Sequence, residues 1–555
     1  MAAAIAQPAK RPWHLWVAGL LIAVTATTAS QAGSSNGLFR LPDDVGAPSV
    51  PRVLWLAIDA RAFPLRQNLT LYLTHPQVQR EPVLAPSAAP NAPDSVATYL
   101  YGTVLHEGGR FRMWYYGLHA TTTTGGIGTS PVCYAESPDG LNWSRPNLGQ
   151  VMWRGNRSNN LIAVGDLNDP KENGFVVDWK KIKGVSGSYV IRDDEEPRTD
   201  RRYKMIYEQK GLRAAVSSDG IRWTELPEVV LHGEPSSLYR YRGLYFVSAH
   251  ASGRGEGDRE EGRQAYSWVS TDFEHWLPES VPAFKVPEPV VGSGWGTDAA
   301  GHWITPTGRG LYTQDHLGIG AVSLGNVVVG LYGMWNQRLP LWGEGGTDGD
   351  LGLVVSHDGY FFEEVVKGVP YIRSGESPAS AVPGKHYSTI LIQNNSILNV
   401  GAETWIYHSR WRNVELGVPD TTTGEHRAPN YWGAIALARL PRDRWGALAL
   451  WGDQAAGSAW TMPVTLPEGS RLEVNGADLD GLRIEVADER FTVLDGFKDG
   501  RATDSGQDAL DATVTWSNHH LAELAGKTVR FHLIFTRSKS ATNPQLFAAT
   551  LLTTQ

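Results

Sequence analysis

Carboxylates that precede predicted strands are the side chains of this sequence best placed to do acid–base chemistry. Glu234 begins a Glu-Pro segment that runs into a strand and then a Gly-aromatic hairpin, so its side chain is expected to point inward. Arg192, Asp193 and Asp194 stand just before another aromatic strand. Cleaving a bond by acid–base catalysis needs one protonated carboxyl and one ionised carboxylate. The alternatives are a surface Glu before a turn and, for the other three, solvated ion pairs.

Three further side chains could bind a polar, hydroxyl-rich ligand. Trp295 and Trp335 lie in Gly-rich surroundings, where an exposed indole offers a flat surface for sugar C–H groups. His316 could hydrogen-bond a hydroxyl, although a lone His is more often structural. The sequence has no zinc-protease, P-loop, Gly-x-Ser-x-Gly or dinucleotide-binding motif, so metalloprotease, nucleotide and α/β-hydrolase functions are excluded. No metal and no cofactor are expected.

The composition is that of a globular, turn-rich chain. Its 555 residues exceed one compact core, and it is 41% hydrophobic and 19% charged, with 60 Gly, 33 Pro and 21 Trp. A formal net charge of −8 without a long Lys/Arg run argues against a nucleic-acid partner. Cys133 is the single cysteine, so neither an intrachain disulfide nor a cysteine-based zinc site is available. Oligomeric state is left open by the sequence.

The first 32 residues have the order of an export signal. Lys10 and Arg11 precede the apolar run 16–24, and Ser30 to Ala32 form a small-x-small cleavage site. The run is shorter than the roughly 20 residues of a spanning helix, which weakens the alternative of an uncleaved membrane anchor. We expect a signal peptide at residues 1–32 and a secreted or periplasmic mature protein that no longer contacts the membrane.

Short aromatic strands followed by an Asp-containing turn recur along the chain. The predicted strands are 111–116, 202–207, 243–248, 327–332 and 404–408, and the turns are 137–143, 217–223, 270–276 and 356–362, with a degenerate fifth at 440–445. An Asp-Gly turn tolerates positive φ, so these Asp residues are expected to be structural and not catalytic. Five such units of unequal length predict a five-bladed β-propeller, an all-β fold.

From about Gly457 the pattern changes. Tryptophan becomes sparse, and alternating strands are predicted at 472–474, 482–486 and 529–535. About a hundred residues of short strands are typical of a β-sandwich. The expected organisation is a propeller at residues 33–456 and a C-terminal β-sandwich module at residues 457–555.

Three segments, 270–276, 234–246 and 192–194, resemble motifs of the five-bladed propeller glycosidases of glycoside hydrolase families 32 and 43. The turn Ser270-Thr-Asp-Phe-Glu-His-Trp276 is similar to their S-x-D-aromatic-x-x-W turn, and the segment 234–246 is similar to their third-blade strand and hairpin. The pair Arg192-Asp193 resembles their Arg-Asp-Pro element, with Asp194 in place of Pro. The sandwich tail is typical of family 32.

This resemblance implies roles for the candidate residues. Glu234 would be the general acid, and Asp193 would hold the substrate or tune that acid. The first-blade nucleophile or base falls in a register near Leu100, where Asp94 is the preferred carboxylate and Asp59 the next. The only literal Asn-Asp-Pro, at 168–170, comes after the first turn and belongs to a different unit.

Two functions follow from different classes of protein. One is an exported glycoside hydrolase that cleaves an oligo- or polysaccharide with paired carboxylates in the central pocket. The other is a carbohydrate-binding propeller that has lost its first-blade carboxylate. Convergence of Glu234 with another carboxylate would favour the enzyme. Family 32 retains and family 43 inverts anomeric configuration, so both outcomes stay open.

Overall fold

The structure is a computed structural model. It describes residues 52–120, 127–164, 184–209, 211–227, 233–252, 263–284, 296–297, 303–304, 314–337, 347–376, 387–412, 432–503, 508–537 and 542–553. These residues form strands and short 3-10 turns, and no α-helix occurs among them. The 3-10 turns include Thr199–Arg201, Ser374–Glu376, Leu479–Gly481 and Leu521–Leu524. Within the described ranges no helix is long and apolar enough to cross a membrane.

Five antiparallel units follow one another along the chain, and we number them sheets 1 to 5. The strands of sheets 1 to 3 are Ala97–Glu107, Arg110–Ala120, Ile127–Thr129 and Cys133–Ser137; Ser188–Arg192, Tyr203–Glu208, Leu212–Ser217 and Thr224–Glu225; and Glu234–Tyr241, Leu244–Ser252, Arg263–Ser270 and Val281–Pro282.

Sheets 4 and 5 join through one parallel pairing, Gly349 with Thr389, into ten strands. Sheet 4 contains Gln314–Ser323, Val328–Gln337, Thr347–Ser356, Glu363–Glu364 and Pro370–Ile372, and sheet 5 contains Tyr387–Leu391, Ile397–Val400, Glu403–Arg412, Trp432–Pro441 and Gln77–Val78. Asn394–Asn395 pairs in parallel with the first strand of sheet 1, and Gly296–Thr297 pairs with Trp303–Ile304.

The innermost strands of the five sheets contact one another in a closed ring. Each pair of successive sheets encloses its own apolar core: Trp114 with Val190 between sheets 1 and 2, Tyr189 with Leu238 between 2 and 3, Phe246 with Ile319 between 3 and 4, Leu351 with Ile406 between 4 and 5, and Tyr407 with Met113 between 5 and 1. The predicted all-β propeller fold is therefore confirmed. The count of five blades stays a prediction.

Two further sheets enclose a separate apolar core. One contains Arg52–Leu56, Leu69–Leu73, Gly446–Leu450, Ser470–Ala477, Arg501–Ala502, Asp508–Thr515 and Gln545–Thr553; the other contains Leu65–Gln67, Ala456–Trp460, Val464–Thr465, Leu482–Asp488 and Thr528–Thr536. Trp55, Leu472, Ile484 and Phe531 lie in the core between them, which is the packing of a β-sandwich.

Strands from both ends of the described chain build this sandwich. Residues 52–56 pair with 548–552, and residues 69–73 pair with 446–450. The sequence-based boundary at 457 stays a prediction for the folding unit. We propose that the unit also includes residues 52–73, because removing residues 457–555 would leave the edge of residues 52–56 without its partner strand.

The predicted structural role of the turn Asp residues is confirmed. In sheet 2, Asp219 Oδ1 accepts hydrogen bonds from the backbone N–H groups of Ile221 and Arg222, both at 2.8 Å. Asp139, Asp272 and Asp358 make the same pair of bonds in their sheets. The turn carbonyl then accepts a bond from the neighbouring sheet, as from Trp114 Nε1 to Gly220 at 3.0 Å. The turns thus lock successive sheets together.

Candidate functional site

β-Bulges mark one end of the innermost strands. The strand register shifts between Tyr99 and Thr103 in sheet 1, between Pro235 and Ser237 in sheet 3, and between His316 and Ile319 in sheet 4. All three shifts lie near the first residues of their strands. Bulges re-aim side chains and occur preferentially next to active sites. We call this end of the ring the bulged end.

Glu234 is the first residue of the innermost strand of sheet 3 and is half-buried at the bulged end. Its strand position agrees with the sequence-based expectation. Two buried tyrosines from other sheets lie close to it, Tyr101 of sheet 1 and Tyr189 of sheet 2. Burial, and next the charge of Glu234, raises the pKa of each phenol well above its usual range. A carboxylate and two neutral phenols from three sheets therefore share one location.

The strand start is held in place by the second of these tyrosines. Tyr189 Oη donates a hydrogen bond to the carbonyl oxygen of Pro235 at 2.5 Å, directly after Glu234. Tyr101 is stacked on Tyr116, with ring centroids 5.6 Å apart, and Trp411 lies 6.2 Å from Tyr101. These aromatic rings pack into one apolar cluster that joins sheets 1 and 5.

Asn395 closes the axis below this region. Its Oδ1 accepts from the backbone N–H of Leu238 at 2.8 Å, and its Nδ2 donates to the carbonyl of Val190 at 3.2 Å. Its backbone pairs with Thr103. Asn395 thus joins sheet 1 through its backbone and sheets 2 and 3 through its side chain, and it forms a floor between the two ends of the ring.

A polar group without partners lies near this floor. Gln393 is 1% exposed, and neither its amide oxygen nor its amide nitrogen has a hydrogen-bond partner in the part of the chain that the structure describes. The neighbouring Asn394 pairs with Gly102, the residue after Tyr101. Burying an unpaired amide is costly.

Asp193 lies at the opposite end of the innermost strands from Glu234. Tyr189 contacts Pro235 at the start of the sheet 3 strand, whereas Asp193 Oδ1 accepts from Arg240 Nη1 at 3.1 Å near that strand's end. The four residue steps from Tyr189 to Asp193 span about 13 Å of extended strand. The expected convergence of Glu234 with Asp193 is therefore wrong.

The physical reason is the direction of the strand that follows Asp193. Residues 203–208 are indeed a strand, but they form the second strand of sheet 2, antiparallel to the innermost strand 188–192. A residue that precedes the second strand therefore lies where the innermost strand ends, and Glu234 lies where its own innermost strand begins. The sequence marks the aromatic second strand clearly and marks the short innermost strand poorly.

A charged network occupies the end where Asp193 lies. The buried Lys204 ammonium is 3.2 Å from Asp193 and 2.9 Å from Glu196, and the Tyr245 hydroxyl donates to Asp193. Burial alone would raise the pKa of Asp193, but the Tyr245 hydroxyl, Lys204 and Arg240 hold it below its usual range. A carboxylate whose negative charge is compensated in this way contributes to the stability of the fold.

Arg192 and Asp194 are exposed and paired with each other, 2.8 Å apart, and Arg192 also lies 3.2 Å from Glu107. These contacts favour the ion-pair interpretation over sugar binding for both residues. They lie at the end opposite the bulges, next to Asp193.

Asp94 is fully buried in an ion pair with Arg145, 2.6 Å away, and accepts a bond from Tyr115 Oη at 2.7 Å. Tyr115 belongs to the second strand of sheet 1 and packs in the core between sheets 5 and 1. A role as base stays a prediction, and the guanidinium contact gives Asp94 a structural one.

Asp59 is 2% exposed and lies 3.0 Å from His357 Nε2. His357 belongs to the Asp-containing turn of sheet 4, which lies at the end opposite the bulges. The structure therefore does not bring Asp59 to Glu234. The Asn168-Asp169-Pro170 motif lies outside the described residues.

The predicted ligand-binding aromatics are only partly described. Trp295 lies outside the described residues, and for His316 and Trp335 the structure describes the backbone alone. His316 is the third residue of the innermost strand of sheet 4, two residues before Gly318, whose α-carbon faces Ser236. Asp315 pairs with Trp335. Both backbones thus lie at the bulged end, level with Glu234. Their role in binding stays a prediction.

Glu208 is a carboxylate at the bulged end that the sequence interpretation missed. It ends the second strand of sheet 2 and is half-buried, and the Ser186 hydroxyl donates a hydrogen bond to it. Its charge contributes, after burial and Glu234, to the raised pKa of Tyr189. The sequence signal was only a Glu-Gln pair at a strand end, which sequence patterns alone do not separate from a surface residue.

No protein-family model matches the chain, and no curated protein matches it. Among solved structures, similar chains include a glycosyl hydrolase from Bacteroides ovatus, with 14% identity over 67% of this chain and 95% of that chain and a TM-score of 0.41. A second comes from the GH130 family of mannoside phosphorylases, which contains glycoside hydrolases that target β-1,2-mannosidic linkages in Candida mannan (13% identity, 66% and 94% covered, TM-score 0.38).

A third is a family 43 arabinoxylan arabinofuranohydrolase from Bacillus subtilis in complex with cellotetraose, with 10% identity over 85% of this chain and 99% of that chain and a TM-score of 0.34. All three are glycoside hydrolases.

Proposed function

We propose that the protein is an exported glycoside hydrolase whose reaction centre is the bulged end of the propeller, with Glu234 as general acid. The observation that carries the proposal is the meeting of Glu234 with Tyr101 and Tyr189, which come from three different sheets. The motif resemblance of residues 234–246 to propeller glycosidases supports the same residue. Assignment to family 32 and export both belong to this proposal.

The chemistry requires each group to act in one protonation state. The Glu234 carboxyl would donate its proton to the glycosidic oxygen as the bond to the anomeric carbon breaks. Tyr101 and Tyr189 stay protonated because burial and negative charge raise their pKa values, and Tyr101 is the phenol placed to donate a hydrogen bond to a sugar hydroxyl. The half-buried ring of Tyr116 would offer an apolar face for sugar C–H groups.

The alternative is a carbohydrate-binding propeller without catalysis. The burial of Asp94 against Arg145 favours it, because this carboxylate is then fixed in an ion pair instead of activating water. Both functions use the same end of the ring and the same class of ligand.

The deciding experiment incubates the purified protein with 4-nitrophenyl glycosides and native plant and algal polysaccharides. Release of nitrophenol or of new reducing ends supports the hydrolase. Binding of an oligosaccharide by calorimetry without any release over a day would overturn catalysis and leave the binding module.

A further inference from the structure

Trp451 is the most exposed of the large apolar side chains in the described part of the chain. It is 67% exposed and directly follows the sandwich strand Gly446–Leu450. It belongs neither to the sandwich core nor to the core between sheets 4 and 5. Tryptophan is highly buried on average in folded proteins. An indole left in water therefore points to a role other than packing.

A second exposed aromatic residue adjoins Trp451. Tyr72 is 46% exposed and lies on the strand Leu69–Leu73, at the edge of the same sheet. Its hydroxyl donates a hydrogen bond to the carbonyl oxygen of Leu450 at 3.1 Å. That carbonyl belongs to the peptide bond that joins Leu450 to Trp451, so the two exposed residues are neighbours. Single exposed apolar residues are common on protein surfaces, whereas contiguous ones mark binding surfaces.

The backbone that carries Trp451 is held by hydrogen bonds on both sides. Trp451 N–H donates to the carbonyl of Asn68 at 3.0 Å, and the Trp451 carbonyl accepts from Gln454 N–H at 3.2 Å. The Asn543 side chain bonds both the N–H and the carbonyl of Leu450, each at 3.0 Å. A backbone that is fixed before binding lowers the entropy cost of binding a ligand. The indole is therefore presented to solvent on a pre-organised turn.

The polar side chains beside Trp451 suit a neutral, hydroxyl-rich ligand. Asn68 and Asp453 are exposed, and Gln454 is half-buried. Amides both donate and accept hydrogen bonds, as hydroxyl groups do, and a flat indole can pack against sugar C–H groups. The carboxylate of Asp453 disfavours an anionic ligand because like charges repel.

The exposed area of the two rings is too small for a stable protein interface. An aromatic side chain has about 150 to 250 Å² to bury, so Trp451 and Tyr72 at their exposed fractions offer less than about 300 Å² together. A stable interface needs roughly 800 Å² on each partner. A sugar chain that covers two rings needs no such area.

We propose that Trp451 and Tyr72 form a carbohydrate-binding surface on the sandwich, separate from the bulged end, that takes a neutral polysaccharide chain. Binding there needs no catalytic group, so the proposal goes beyond the proposed function. A chain held on the sandwich would raise its own concentration at the propeller of the same molecule. Only this gain in turnover rests on the proposed function.

The test is electrophoresis of the full chain through native gels that contain arabinoxylan, mannan, β-glucan or polygalacturonate. The wild type should be retarded by at least one of the three neutral polysaccharides and not by the anionic polygalacturonate. Trp451→Ala removes the larger ring and should weaken the apparent affinity about tenfold or more. Trp451→Phe keeps a flat ring and should restore most of the affinity.

Leu277→Ala is the matched control. Leu277 is 56% exposed but follows the Asp-containing turn of sheet 3, outside the sandwich, so this variant should be retarded like the wild type. Retardation by no neutral polysaccharide, equal retardation of the wild type and Trp451→Ala, or retardation by polygalacturonate would overturn the proposal. Sedimentation of a wild-type dimer that Trp451→Ala dissociates would also overturn it, because the surface would then bind a second copy of the chain.

Kinetics separate this proposal from the proposed function. If both hold, Trp451→Ala should raise KM on the polysaccharide severalfold and leave the rates on an aryl glycoside unchanged. Retardation that depends on Trp451, without turnover on any glycoside, would retain the surface and reject the hydrolase. Turnover without such retardation would retain the hydrolase and reject the surface.

Discussion

The two ends of the innermost strands present carboxylates in opposite surroundings. At one end Asp193 is surrounded by Lys204, Arg240 and the hydroxyl of Tyr245. At the bulged end Glu234 lies beside two phenols, with the carboxylate of Glu208 acting on the same tyrosine. The first arrangement stabilises a negative charge. A general acid must hold its proton near neutral pH, so a carboxylate kept ionised like Asp193 is unsuited to that role.

Backbone geometry separates the ends as well. The Asp193 end carries tight hairpins and Asp-containing turns whose backbone N–H groups are bonded to carboxylates. The bulged end carries irregular register in sheets 1, 3, 4 and 5. Regular turns with satisfied polar groups contribute to stability, whereas bulges position side chains at a functional surface. Catalysis and stability should therefore respond to mutations at different ends.

The largest expected effect is on turnover at the bulged end. Glu234→Gln removes the proton donor and should lower turnover by about 10² to 10⁴ with little change in binding. Asp193→Asn should lower turnover only as far as it lowers the folded fraction. Initial rates on one aryl glycoside, corrected for folded fraction by circular dichroism, measure both. Equal losses of corrected turnover in the two variants would contradict the assignment of catalysis to the bulged end.

The next effect is on stability at the Asp193 end. Lys204 is fully buried, and Lys204→Met leaves Asp193 and Glu196 without their shared cation, which should cost about 3 to 5 kcal/mol. Urea denaturation measures it. Arg198→Met, which removes an exposed pair with Asp200, is the control and should cost less than about 1 kcal/mol. Similar losses for both would mean that the buried network stabilises the fold no more than an exposed ion pair does.

Stability should also fall in acid because of this network. The pKa of Asp193 is held below its usual range, so its contribution is present above the unfolded value of about 3.9 and is lost as pH falls through the folded value. Asp193→Asn should be less stable than the wild type at pH 7, and the difference should shrink below about pH 4. A constant difference from pH 2 to 7 would contradict this account.

A smaller effect is expected at the turns. Asp219→Ala deprives two backbone N–H groups of their acceptor and should cost about 1 to 2 kcal/mol. Asp219→Asn keeps an acceptor oxygen and should cost less. Thermal unfolding compares the two. If the Ala variant were as stable as the wild type, the turn would not lock sheet 2 to its neighbour.

The smallest effect is expected at Asp194, which is exposed and paired only with Arg192 among the contacts described. Asp194→Asn should change stability by less than about 0.5 kcal/mol and leave turnover unchanged. A loss of affinity for the substrate would instead return residues 192–194 to the sugar-binding role that their motif resemblance implied.

The sequence predicted the strands and turns that are determined by residues close to one another along the chain. The aromatic strand at 111–116 lies within Arg110–Ala120, and the strand at 529–535 lies within Thr528–Thr536. The Asp turns were predicted because their hydrogen bonds join residues two and three apart. Glu234 was placed correctly because its Glu-Pro segment and hairpin mark the innermost strand of sheet 3.

Long-range pairing could not be predicted in the same way. Nothing near Leu54 indicates that it pairs with Thr550 in the sandwich. Likewise, Asp193 was expected beside Glu234 because the sequence does not show which of two adjacent strands is innermost. Glu208 was missed because its significance depends on the packing of sheet 2 against sheet 3.

Hydrogen–deuterium exchange with bound substrate tests most directly that the site is the bulged end. Glu234→Gln, loaded with the oligosaccharide that the wild type cleaves or binds, should show protection in residues 97–103, 187–190 and 234–237. Residues 192–204 at the other end should exchange as in the free protein. Protection confined to residues 192–204 would contradict the account and place the ligand at the charged network.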